Sequence, residues 1–203
     1  HNLEISTSLD GTQELHDLHR KSRSDESSYY KFIEKLNETR EVMGAHAVNA
    51  LLTITRDHLP KLKETIDSYV DLGFNGVFLR ALNPYGYAVQ NMDKLGYTVE
   101  EFVEAYKSTL SYIIDLNLSG TPFRESYATL LLQRILTPFP TGFVDLQSPS
   151  GAGISGVIYD FNGEVYPADE GRMLARMGDK RFLMGNVLKN SYNEIFNGSI
   201  IHE

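Results

Sequence analysis

The sequence predicts an α/β fold: a parallel sheet or barrel over Leu3 to about Leu118, then an appendage built around a β-hairpin. Three observations carry this reading. Short apolar runs alternate with amphipathic stretches in the order strand, helix, strand, helix, strand, which is the signature of right-handed βαβ units. Each run ends in polar residues, namely Ser8 and Asp10, Thr53 and Thr55, and Arg80 and Asn83. In parallel α/β folds ligands sit at those carboxyl ends. Finally, Asn162-Gly163 divides two alternating runs in the last third, a strong hairpin signal. Two regions are expected: 1–120, the sheet or barrel, and 121–203, a helix followed by loop and hairpin.

Leu3 to Ser8 reads as the first strand, closed by Asp10 and Gly11. Gly11 suits a tight turn because it accepts positive φ without a Cβ clash. A polar stretch follows from Thr12 to Ser28, with His16, His19 and Arg20 inside it. His16 and His19 share a helix face at their spacing, but no acidic partner at ligand spacing supports a metal pair, and none is expected. Ser27 or Ser28 is placed to cap a helix over Tyr29–Met43, with Phe32, Ile33, Leu36 and Val42 as its apolar stripe and Gly44 as its stop.

Ala47–Ile54 reads as a buried strand, and Asp57 as the cap of a helix to Leu72 that turns Leu62, Ile66, Tyr69 and Val70 inward. Asn75–Arg80 supplies the third strand, and Asn83-Pro84-Tyr85-Gly86 a turn. Thr98-Val99-Glu100-Glu101 is a capping-box pattern opening a long helix to about Leu118. Its stripe of Phe102, Val103, Tyr106, Leu110, Ile113 and Ile114 reads as core. Phe123–Leu136 is expected to be one further helix, ended by Pro138 and Pro140. Beyond the hairpin, Leu183–Val187 reads as a short extended segment and Ser191–Phe196 as a helical turn.

The chain has 203 residues, 41% hydrophobic and 23% charged, with a formal net charge of −8. That composition is globular, and the negative charge argues against nucleic acid or an anionic membrane as partner. No apolar run reaches the length of a membrane span. With no cysteine and no secretory signal, the sequence fits a reducing, cytoplasmic setting, and no thiolate can hold zinc or an iron–sulfur cluster within these residues. His1-Asn2 leads straight into a strand pattern without an initiator methionine, so the chain is expected to be a piece of a longer one.

Two clusters invite chemistry. Ser8, Asp10 and Arg20 together suit a zwitterionic amino acid, the guanidinium on its carboxylate and Asp10 near its ammonium. The same residues also read as a strand end, a turn and a solvated arginine. Asp169-Glu170 suits proton transfer if buried, and equally suits ion pairs with Arg172 or Arg176. Gly151-Ala152-Gly153-Ile154-Ser155-Gly156 matches the dinucleotide fingerprint by letter, yet a hairpin follows where that site needs a helix.

Ser8-Leu9-Asp10-Gly11 with His16 and Arg20 resembles the fourth strand of radical S-adenosylmethionine (SAM) enzymes of the sulfatase-maturase type. Phe78 to Gly86, Leu136 to Gly142 and Val165 to Leu174 resemble, more narrowly, the radical SAM maturases of His-Xaa-Ser peptide systems. The resemblance implies the later half of a parallel (βα)₆ partial TIM-type barrel with a hairpin appendage on the substrate side. It implies SAM and one [4Fe–4S] cluster as cofactors, a 5′-deoxyadenosyl radical, and a peptide or protein as substrate.

On the same resemblance, Ser8 and Arg20 hold the SAM carboxylate, Asp10 supports the turn, and Asn49 and Arg80 are further SAM-side candidates. Asp169 falls at the position of a catalytic proton acceptor. The cysteine loop of the family is absent, and Ser150 and Ala168 stand where auxiliary-cluster cysteines are placed, so the chain by itself is expected to be inactive. A half barrel also exposes a strand edge, which a homodimer would cover. The rival expectations are a non-catalytic peptide-binding module, and a barrel hydrolase or lyase using Asp10, Asp169 and Glu170.

Overall fold

The computed structural model describes residues 5–23 and 26–202, with Tyr87 described by its main chain alone. The expected strand start at Leu3 and Glu4 lies outside the described residues. In chain order the elements are β1 (Ile5–Ser8), α1 (Gln13–His19), α2 (Ser28–Met43), β2 (Val48–Thr53), α3 (Leu62–Asp71) and β3 (Gly76–Arg80). Two single turns, α4 (Tyr87–Gln90) and α5 (Met92–Leu95), precede α6 (Val99–Leu118), β4 (Arg124–Glu125) and α7 (Ser126–Leu136). Then come β5 (Ile158–Tyr159), β6 (Glu164–Tyr166), α8 (Asp169–Arg176), β7 (Gly185–Asn186), α9 (Tyr192–Phe196) and α10 (Ser199–His202).

The contacts divide the chain into two units. The first runs to Leu82 and resumes over Met92–Thr137; the second comprises Asn83–Asn91 and the chain from Pro138 on. Residue 120, the expected boundary, falls between α6 and β4, both in the first unit.

Among the described residues of the first unit, four strands form a parallel sheet in the order β1-β2-β3-β4. Its buried face is Val48, Ala50 and Leu52 of β2 with Val77 and Leu79 of β3, packed against Leu36 of α2, Leu62, Ile66 and Tyr69 of α3, and Ile113 of α6. The alternation of buried and half-buried residues along β2 follows from the twofold strand period.

Three local expectations need correcting. The helix expected from Asp57 begins at Leu62 instead, after a 3₁₀ turn at Leu59–Lys61. The break falls at Lys61, whose φ of −114° and ψ of 13° leave the helical path between the 3₁₀ turn and α3. Phe123–Leu136 is not one helix, because Arg124 N–H bonds to the Asn75 carbonyl (2.9 Å) and starts a two-residue fourth strand. The stripe of α6 is also narrower than expected. Ile113 is buried, with Phe102 and Tyr106 packed against the core, while Val103 and Ile114 are exposed.

The Thr98–Glu101 capping box is present in both directions. In the second unit, β5 and β6 pair antiparallel through a turn in which Gly163 takes φ +84°, and β7 adds a third strand. Val165, Met184 and Ile195 form its small core. No helix among the described residues is long and apolar enough to cross a membrane.

Candidate functional site

Strand register decides which side chains share a surface. Paired residues of neighbouring parallel strands point to one side, and sides alternate along each strand. Ser6 pairs with Asn49, Ser8 with Leu51, Leu51 with Phe78, and Thr53 with Arg80. Ser8, Asn49 and Arg80 therefore lie on one face with Ser6, Leu51, Thr53 and Phe78, opposite the face that packs on α2, α3 and α6. Three candidates drawn from strands over 70 residues apart in sequence thus share one face, but Asn49 lies near the start of β2, level with Ser6, while Ser8 and Arg80 end their strands.

Asp10 lies past the end of β1 rather than in it, so it does not share that face by strand geometry. Its side chain is only 6% exposed, and it is met by Arg20. Arg20 Nε donates to Asp10 Oδ2 (2.6 Å) and Nη2 to Oδ1 (3.4 Å), a two-pronged pair. The Arg20 side chain is 43% exposed, so it keeps access to an incoming anion while its near edge is fixed. The structure brings Asp10 and Arg20 together directly; Ser8 stands two residues from Asp10 at the strand end.

Histidines surround this turn. Asp10 N–H donates to His16 Nδ1 (3.3 Å), and His16 packs on Tyr29 and Phe32 at ring-centroid distances of 5.9 and 5.8 Å. Burial lowers the pKa of His16, against the raising pull of Asp10. His58 is fully buried: its Nδ1 accepts from Thr55 N–H (3.1 Å), so Nε2 carries the proton and donates to the Asp10 carbonyl (3.3 Å). His19 stacks on His58 at 5.1 Å, with its Nε2 3.2 Å from Thr55 Oγ1 and 3.5 Å from Asp57 Oδ2. Burial, and then the neighbouring His19, lower the His58 pKa to about 4. His16 and His19, expected to share one helix face, thus serve different neighbours. Among the described residues no group of three or more His, Cys, Asp or Glu is placed to hold a metal ion.

A polar cavity of about 300 Å³ borders Arg20, lined by Asp17, Lys21, Ser22, Glu26, Ser27 and Ser28. Asp17 closes its helix side, accepting from Tyr29 N–H (2.9 Å), Ser27 Oγ (2.6 Å) and Ser28 Oγ (3.1 Å).

In the second unit, Asp169 opens α8 and pairs with Arg172, whose Nη2 stands 2.7 Å from Oδ1. Arg176 pairs instead with Asp160 (2.9 Å), and Glu170 is exposed. The glycine motif forms a closed loop in which Gly153 N–H is shared between the Gly156 and Pro167 carbonyls (2.9 Å each), and β5 follows it.

Sequence reasoning missed His58 and Glu125. His58 lies five residues past the end of β2, where a histidine after polar Thr53 and Thr55 was the available signal. Glu125 had no local signal. Its carboxylate accepts from Leu79 N–H (3.0 Å), Tyr127 N–H (3.1 Å), Ala128 N–H (2.5 Å) and Tyr106 O–H (2.5 Å), locking β3 to the start of α7.

No protein-family model matches the chain, and no curated protein matches it. Solved structures do. Native anSMEcpe, an anaerobic sulfatase-maturating radical SAM enzyme, with bound AdoMet aligns at TM-score 0.68 and 18% identity, over 98% of this chain and 51% of that one. The same enzyme with AdoMet and Kp18Cys peptide aligns at TM-score 0.67 and 19% identity, over 98% and 51%. With AdoMet and Cp18Cys peptide the values are 0.68, 19%, 98% and 52%. At these identities the likeness is one of fold alone: a mixed α/β arrangement with a parallel four-stranded sheet and a separate antiparallel one. The chain spans about half the length of the solved structures it matches.

Proposed function

We propose that this chain is the SAM-binding and peptide-facing part of a radical SAM peptide maturase. The observation that carries the reading is the Arg20 guanidinium held by the buried Asp10 carboxylate just past the end of β1, beside the sheet face that bears Ser8, Asn49 and Arg80. The fold likeness to an enzyme solved with AdoMet and peptides supports it.

The charges of these residues suit the amino-acid end of a SAM molecule. Asp10 holds Arg20 by two N–H groups, which removes the rotamer freedom that a free arginine would lose on binding a carboxylate. Ser8 supplies a hydroxyl at the strand end, and Asn49 and Arg80 supply further polar contacts on the same face. Where a [4Fe–4S] cluster is held by another part of the protein, bound SAM would supply radical chemistry toward the peptide. The thiolates that would hold that cluster are not among these residues, since the sequence has no cysteine. Asp169 is assigned the proton acceptor of the peptide-side chemistry, with Arg172 orienting its carboxylate.

Calorimetric titration with SAM tests the reading. Saturable binding is expected for the protein, abolished by Arg20→Ala and partly kept by Arg20→Lys, with circular dichroism confirming that both variants fold. Absence of saturable heat, or wild-type affinity in Arg20→Ala, refutes it. On the same reading, reconstitution with iron and sulfide leaves this chain without cluster absorbance.

One observation favours a second reading, a non-catalytic peptide-binding module. Among the described residues β5 pairs with β6 on one side alone, leaving an edge to which an extended peptide can add. Peptide binding that is unaffected by Arg20→Ala, without SAM binding, would select it.

A further inference from the structure

The two peptide planes that flank Asp10 are gripped by side chains from α1, α3 and the turn that follows β2. The plane between Leu9 and Asp10 is held on one edge by Tyr69 O–H, which donates to the Leu9 carbonyl, and on the other by His16 Nδ1, which accepts from Asp10 N–H (3.3 Å). The plane between Asp10 and Gly11 is held by His58 Nε2–H on the Asp10 carbonyl (3.3 Å). Peptide planes are rigid, so a residue's φ and ψ are its only soft main-chain freedoms. Fixing the planes on both sides of Asp10 fixes both angles, and with them the direction of its Cα–Cβ bond.

The surroundings add to this constraint. Gly11 sits at φ +84° against Thr65, where an added Cβ would lie 2.7 Å from Thr65 Cγ2. Tyr69 and His58 are fully buried and His16 nearly so, which excludes water as a competitor for these bonds. His58 is itself held in one tautomer. Thr55 N–H and Thr55 Oγ1 (2.8 Å) both address its Nδ1, and His19 Nε2 in turn addresses Thr55 Oγ1.

A turn needs no such apparatus merely to reverse the chain. What it fixes is a carboxylate, and that carboxylate fixes Arg20 through two hydrogen bonds. We propose that Tyr69, His16 and His58 are positioning residues for Arg20: they set the Asp10 main chain so that its carboxylate presents the guanidinium to the carboxylate of a bound amino-acid ligand. This rests on the reading that Arg20 receives the SAM carboxylate.

The test uses Tyr69→Phe, which deletes one hydroxyl, and His58→Asn, whose amide occupies the place of Nδ1 and lacks the Nε2 donor. His58→Gln, whose amide nitrogen replaces Nε2, serves as the conservative rescue. Two quantities are read: SAM affinity by calorimetry, and solvent exchange of the ¹⁵N-labelled Arg20 Nε–H in the ligand-free protein. Tyr69→Phe and His58→Asn are expected to weaken SAM binding about 10-fold each and to speed Arg20 Nε–H exchange, while His58→Gln restores both. Lowered stability with unchanged SAM affinity and unchanged Arg20 exchange would assign these groups to folding alone and overturn the proposal. Should the wild-type protein bind no SAM, the ligand reading fails by itself. The exchange of Arg20 Nε–H in the variants then still decides whether the three side chains position it.

Discussion

Asp10 and Arg20 are an unequal pair, and the inequality is measurable. The carboxylate is buried while the guanidinium is nearly half in water. Removing Arg20 leaves a buried charge without its partner, whereas removing the charge on Asp10 frees a group that solvent can rehydrate. Arg20→Ala is therefore expected to cost roughly 2–3 kcal/mol, less than a fully buried pair because of solvent screening, and Asp10→Asn about 1 kcal/mol. Urea unfolding at neutral pH checks the order; equal losses would contradict it. His58 gives a second prediction. Burial dominates, the neighbouring His19 adds to it, and Asp10 and Asp57 oppose it, holding its pKa near 4. In the unfolded chain the imidazole returns to its ordinary value of 6.5 and so binds more protons between those limits. Its contribution is thus complete above pH 6.5 and lost as pH falls through the window to about 4, a drop of about 3 kcal/mol. Unfolding midpoints at pH 7, 5.5 and 4.5 should follow this slope, and His58→Gln should flatten it.

Helix ends show what the sequence made legible. Thr98 and Glu101 are three residues apart, so both halves of their cap could be read from adjacent letters, and both formed. The cap of α2 is only half local. Ser27 accepts from Tyr30 N–H (3.4 Å), but the better acceptor for Tyr29 N–H (2.9 Å) is Asp17, twelve residues upstream on α1. Glu125 lies further still from legibility, because its partners Leu79 and Tyr106 are 46 and 19 positions away. No spacing rule reaches them, and the same blindness hid β4, whose two residues exist by pairing with β3. By contrast β1, β2 and β3 were readable because each is a short β-prone run ending in polar residues. The Asp10–Arg20 pair was readable as two residue types in one motif, but His58 and Tyr69 reach that turn only through the tertiary fold. Glu125 also carries an element-scale prediction. Glu125→Ala leaves the buried Leu79 N–H, the Tyr106 O–H and the first amides of α7 without an acceptor, and burial and the carboxylate itself already hold the Tyr106 hydroxyl proton tightly. The expected loss is about 3 kcal/mol in urea unfolding, above the roughly 1 kcal/mol of an ordinary cap. A loss near 1 kcal/mol would mean that the carboxylate serves the helix alone.

At the scale of the molecule the open question for the sheet is its first edge. Among the described residues β1 pairs with β2 and with no other strand, so one side of β1 presents unpaired main-chain groups. Ile5 N–H donates inward to the Ala47 carbonyl (3.0 Å), and main-chain directions alternate along a strand, so the amides of Ser6 and Ser8 point to the open side. Exposed edges of this kind recruit another strand, and β1 carries none of the lysines, prolines or bulges that block such pairing. A second copy of the chain is the partner expected here. Ser6→Pro isolates the effect, since proline removes an outward donor and leaves the inward ladder to β2 in place. Light scattering across a concentration series should give a dimer for the wild-type chain and a monomer for Ser6→Pro, with unchanged circular dichroism. The net charge of −8 opposes association through long-range repulsion, so the dimer should strengthen as salt is added. A monomer at every concentration and salt level would show that the edge of β1 is not covered by self-pairing.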